Sequence, residues 1–87
     1  MTRILPLAAK AALAVGSGNA TTVDKATVVR ILSTAGAAVV VRTDSDDNVI
    51  GSFTTLNNSA DLVEKNASDK IYVTGNAVEV SKVGFTN

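Results

Sequence analysis

Eighty-seven residues with eight basic and eight acidic side chains and no Cys, His or Trp make one small domain without disulfides, soft-metal ligands or a net electrostatic field. A chain of this length buries only about 60–65% of its unfolded surface, and zero net charge removes the counterion-release term on which nucleic-acid binding rests. Hydrophobic residues reach 46% while aromatics stay at 3%, so the apolar mass is Val, Ala, Ile and Leu, much of it suited to a pleated sheet.

Residues 1–19 read as an N-terminal arm ending in a flexible joint. Met1-Thr2-Arg3, an apolar stretch from Ile4 to Val15 and then Gly16-Ser17-Gly18-Asn19-Ala20 have the outline of a secretory leader, interrupted by Pro6 and Lys10. The stretch is too short and too broken for a transmembrane span, so no membrane partner is expected. Leu7 to Val15 could form a short Ala-rich helix, yet it has no polar N-cap and falls below the length at which an isolated helix holds in water. An extended arm fits better. Its apolar side chains Ile4, Leu5, Pro6, Leu7, Leu13 and Val15 are the candidate partner-binding residues. The alternative is that the arm pairs as the first strand of its own sheet.

Residues 20–87 read as a single β domain. Asp24-Lys25 is a turn, and strands follow at Val28–Leu32, Ala38–Arg42, Ile50–Thr54, Leu62–Glu64, Ile71–Val73 and Val78–Val80. Each is closed by Gly, Asn, Asp or Ser, the punctuation of short hairpins. Thr34-Ala35-Gly36-Ala37 offers a Gly for positive φ, and Gly75-Asn76 is the tightest turn. Alternation of Val with Glu and Ser around Val78–Val80 predicts one buried and one solvated face, whereas the unbroken Ala38–Val41 run predicts a strand covered on both faces. The expected fold is all-β: a small antiparallel sandwich with an extended N-terminal arm, or as the alternative a small closed barrel.

Side chains with chemical potential are few. Asp44, Asp46, Asp47 and Asn48 form an acidic loop without the interior Gly and distal Glu of a calcium loop, so it reads as a solvated hairpin tip and no metal is assigned. Glu64 and Glu79 each have a Lys nearby and no adjacent nucleophile, and read as surface ion pairs. Arg30 and Arg42 are expected to lay their stems on apolar surface while the guanidinium reaches solvent or a carboxylate such as Glu64 or Asp61. Asn19-Ala20-Thr21 and Asn66-Ala67-Ser68 match the glycosylation triplet, which matters only in a secreted eukaryotic chain. No catalytic residue and no cofactor is expected.

The succession Ala26–Ile31, Gly36–Val41, Asn48–Thr54 and Leu62–Ile71, with its Val63-Glu64-Lys65 to Asp69-Lys70-Ile71 corner, resembles small β-sandwich virion proteins of tailed phages, particularly those of marine bacteria. The resemblance covers residues 20–87. It implies a non-enzymatic decoration or cement protein on the capsid surface, partnered by the major capsid protein or other virion subunits and by self-association. A tail or fibre-associated receptor-binding module is the alternative, and a secreted β-domain follows only from the leader reading.

Overall fold

The computed structural model describes residues 3–86, apart from the side chains of Arg3, Phe85 and Thr86; the Met1-Thr2 start of the arm and the Phe85 ring lie outside that description. The chain forms β1 (Arg3–Pro6), β2 (Ala11–Leu13), a 3-10 turn at Ser17–Asn19, β3 (Val28–Leu32), β4 (Ala38–Thr43), β5 (Val49–Thr55), β6 (Ala60–Glu64), β7 (Lys70–Thr74) and β8 (Val78–Thr86). One sheet runs β1-β8-β3-β6, with β2 also on β8; the other runs β5-β4-β7. Both are antiparallel, and they pack face to face as a small sandwich.

The alternating residues of each strand make the core. Val29 and Ile31 of β3, Val40 of β4, Ile71 and Val73 of β7, and Val78 and Val80 of β8 are all buried. Ala26, Ala38 and Leu13 complete the cluster, and Val63 of β6 packs against its side. Aliphatic packing dominates here, so the interior depends on shape fit among small branched side chains. The predicted two-faced covering of β4 holds for Ala38, Val40 and Val41, but Val39 is exposed.

Only β4 and β5 form a hairpin between consecutive strands among the six that were expected to be linked this way. The links after β3, β5, β6 and β7 carry the chain from one sheet to the other, so the hairpin expectation at Thr34–Ala37 and Gly75–Asn76 is corrected to a pair of arches. Their side chains make the arches specific. The Ser33 hydroxyl donates to the Gly36 carbonyl, and Asn76 Nδ2 donates to the Ala37 carbonyl at 2.9 Å. Gly36 sits at φ +134°, and a Cβ there would lie 2.6 Å from Asn76 Nδ2; only glycine lets the two arches meet.

The turn at Asp24-Lys25 is more unusual than its composition suggests. Val23, Asp24 and Lys25 all lie in the left-handed region, at φ 53°, 56° and 57°, where a non-glycine residue costs roughly 1–2 kcal/mol. Local bonds hold it: Thr21 Oγ1 accepts from the Val23 N–H at 3.0 Å, Thr22 Oγ1 from the Lys25 N–H at 3.2 Å, and Lys82 Nζ donates to the Asp24 carbonyl at 3.1 Å. The Val23 side chain drops into the core, which anchors the strained backbone to the body.

Two substitutions probe this description. Val40→Asp places a carboxylate among apolar neighbours and is expected to abolish the cooperative unfolding transition. Lys25→Gly, at an exposed left-handed position, is expected to raise the denaturant midpoint by about 0.5–1 kcal/mol of stability; a midpoint that falls would contradict the backbone geometry.

Candidate functional site

The two long sides of the sandwich differ. On one, residues 11–21 seam the sheets together. β2 pairs with Val78–Val80 of β8; the chain then crosses to β7, where Val15 bridges Val73 and Thr21 bridges Ile71. The Gly16 N–H donates to the Val73 carbonyl at 2.9 Å, and Thr21 and Ile71 exchange N–H···O bonds at 3.0 and 2.9 Å. On the other side β5 and β6 each have a single strand neighbour, so both edges stay open.

The N-terminal arm is therefore a strand of its own sheet as far as it is described. β1 pairs with Val83–Thr86, and Pro6, which cannot donate a backbone hydrogen bond, occupies an edge position. Between Pro6 and Ala11 the chain takes five steps against three on β8 (Pro6↔Val83, Ala11↔Val80), so two extra residues bulge out. β3 pairs with β8 only as far as Lys82. Beyond it, β1 and the end of β8 run on as a two-stranded ribbon.

Of the six candidate partner-binding residues, the structure separates one from the rest. Leu13 is 4% exposed and belongs to this chain's own core, so its side chain is not free to meet a partner. Ile4, Leu5, Pro6, Leu7 and Val15 are exposed, with Leu7 at 51%. The β1 side chains gather on the ribbon, while Val15 lies at the seam on β7.

The open side holds a second apolar surface that sequence reasoning passed over. In β5 every residue except Thr55 is exposed, and Val49 at 63%, Ile50 and Phe53 lie along it, with Leu56 at 67% just beyond. No charge and no proline falls between Val49 and Thr55; the edge is interrupted instead by a β-bulge, where the β4 pairing steps from Arg42↔Gly51 to Thr43↔Val49, one of the ways edge strands are blunted. Between β5 and β6 opens a groove of about 270 Å³, lined by Val40, Phe53 and Val63 together with Arg42 and Glu64. At its far end the buried Thr55 hydroxyl donates to Asp61 Oδ2 at 2.6 Å. The available signal was the absence of charge over seven strand residues.

Polar side chains serve the structure. Arg42 donates to Asp69 Oδ2 from Nε at 2.9 Å and from an Nη at 2.6 Å, so its partner is Asp69, not the expected Glu64 or Asp61. The Asn66 N–H donates to the same oxygen at 3.1 Å, and Lys65 is buried nearby. Arg42 holds the Asp69 carboxyl below the usual carboxylate range, against the opposing effect of desolvation; burial pushes the Lys65 ammonium down. Asp61 instead meets Thr55. Arg30 is half-buried on the outer face of β3, in register with Leu62 and Ser81.

At the acidic tip, Asp44 Oδ1 accepts from the N–H groups of Asp46 and Asn48, both at 2.9 Å, and Oδ2 accepts from Asn48 Nδ2 at 3.1 Å. These bonds, led by the Asn48 N–H, lower the Asp44 pKa. Asp47 pairs with Lys70 at 3.1 Å. The tip is thus a self-satisfied turn, and among the described residues no group of three or more acidic side chains is placed to hold a metal ion. Glu79 pairs with Lys10 at 3.4 Å across the β2–β8 edge.

Because the folded pKa of Asp69 is depressed, its stabilising contribution is full above its unfolded value of about 3.9 and fades as pH falls through the lower folded value. Asp69→Asn is expected to lower the denaturant midpoint at pH 7, with the gap to the parent chain narrowing towards pH 2; a gap constant across that range would remove the ion pair from the account. No protein family, curated protein or solved structure matches the chain.

Proposed function

We propose that this chain is a non-enzymatic structural protein of a tailed-phage virion, a decoration or cement protein that binds the assembled capsid and stabilises contacts between its subunits. The resemblance of residues 20–87 to small virion sandwiches supports the virion setting. The observation that carries the binding role is the β1–β8 ribbon, which offers Ile4, Leu5, Pro6 and Leu7 as an exposed apolar surface beyond the reach of β3. An apolar surface held on a paired backbone loses little conformational entropy when it docks. Repetition on a lattice then multiplies modest single-site affinity.

The ribbon also alters how the role is tested. Removing residues 2–15 would strip Leu13 from the core and uncover β8, so loss of binding by such a deletion would report on folding. Paired substitution on the ribbon avoids this. Leu5→Ser with Leu7→Ser is expected to keep the strand spectrum and thermal midpoint while weakening co-sedimentation with purified capsids of the parent virion by about 30-fold or more, from the apolar area removed. Unchanged occupancy by the folded double variant overturns the ribbon as the contact.

A further inference from the structure

We infer that the cavity between the arm and the left-handed turn is a binding site for a free aliphatic α-amino acid, held as its zwitterion between Lys82 and Asp24. The inference goes beyond a role in a virion and stands whether or not the chain has one.

The cavity measures about 340 Å³, at the small end of the range for ligand sites, roughly 300–1,000 Å³. That size suits a small metabolite. Its apolar lining includes Leu13, Val23 and Val80 of the core and the alanines of the arm, Ala8 and Ala9 of the bulge between β1 and β2 among them. Among the described residues no aromatic ring lines it.

Two opposite charges on this cavity stay apart. Lys82 and Asp24 both line it, yet the Lys82 ammonium donates to the Asp24 backbone carbonyl at 3.1 Å. Among the described residues neither side chain belongs to an ion pair. Elsewhere neighbouring charges close on one another: Lys10 on Glu79 at 3.4 Å, Arg42 on Asp69 at 2.6 Å and Lys70 on Asp47 at 3.1 Å. An ammonium with donors to spare and a carboxylate without a cation therefore face one small space. Asn19 adds an acceptor there, since its Nδ2 is committed to the Val15 carbonyl at 3.0 Å and leaves Oδ1 for another donor.

The backbone of the second wall points the same way. Asp47 and Asn58, the other non-glycine residues with positive φ, stand singly and are of the types that tolerate it. Only Val23-Asp24-Lys25 strings three together, the first of them β-branched, and strain of this kind gathers at ligand clamps. Its effect is specific. An extended chain would send Val23 and Asp24 to opposite sides, whereas the left-handed turn brings both onto the cavity.

An α-amino acid matches this arrangement group by group. Its carboxylate accepts from Lys82, its ammonium donates to Asp24 and Asn19, and its aliphatic side chain meets Leu13, Val23 and Val80. Hydrogen bonds between ionised partners are the strong kind, and both ends are needed. A peptide terminus carries only one of the two charges, and a quaternary ammonium has no N–H to donate and calls for aromatic faces.

Amide shifts of the full chain labelled with nitrogen-15, followed while alanine, valine, leucine and isoleucine are added in turn, test the site. At least one of these amino acids is expected to move Thr21, Val23 and Lys82 saturably, with a dissociation constant of about 1 mM or tighter. The matching deaminated acid and decarboxylated amine are each expected to bind about tenfold more weakly or worse. Asp24→Asn keeps a residue type at home in the left-handed region; it is expected to weaken the amino acid about tenfold and leave the deaminated acid unchanged. Lys82→Gln is expected to weaken the amino acid and leave the amine unchanged. Absence of a saturable shift with every one of the amino acids up to about 50 mM overturns the inference. So does an acid or amine that binds as tightly as the amino acid, or an Asp24→Asn chain that melts like the parent and binds like it.

Discussion

The molecule is held shut along one side by a single crossing of the chain. Residues 11–21 leave β8 of one sheet and join β7 of the other, using backbone hydrogen bonds on both and sinking Leu13 into the layer between them. Two small sheets whose described core is aliphatic gain limited stability from face-to-face contact alone, since a domain of this size has only about 4–13 kcal/mol to draw on. The crossing converts one pair of vulnerable edges into continuous structure. What remains open on the opposite side is the direct counterpart of that arrangement.

The arches do the rest of the organising. From β3 onward consecutive strands alternate between the sheets except at the β4–β5 hairpin, so the three arches after β3, β5 and β7 gather at one end of the sandwich, while the acidic tip, the left-handed turn and the Arg42–Asp69 pair lie at the other. Polar groups there act as rivets. Asp69 answers Arg42 and the Asn66 N–H together, and Thr55 answers Asp61, so the polar atoms drawn into the interior have partners; among the described residues no buried side-chain polar atom is left without one.

Strand positions were legible because Val and Ile alternate with short polar runs, and each of the six segments read from the sequence falls on one of β3 to β8, although β8 runs on from Val80 to Thr86. Their pairing was not. Gly36 and Asn76 announce a reversal of direction, but a reversal within a sheet and a reversal between sheets need the same residue types; the choice is made by Asn76 reaching Ala37 across 39 positions. The partner of Arg42 was missed for a similar reason. Asp69 is 27 residues away and becomes a neighbour only because β4 pairs with β7. Leu13 looked like its exposed companions in the arm, since three consecutive apolar residues carry no sign of which one faces inward. The open β5 edge could have been noticed as seven residues without charge, although the same composition also suits an interior strand.

Placing β1 against the far end of β8 joins segments about eighty positions apart, and that separation governs the order of events as the chain is made. Until Val83–Thr86 leaves the ribosome, Arg3–Pro6 has no strand to lie on, so Ile4, Leu5 and Leu7 are made long before the segment that receives them. Pairings this distant form slowly, and a greasy segment left waiting for a partner made about eighty residues later invites capture by chaperones or by its own kind.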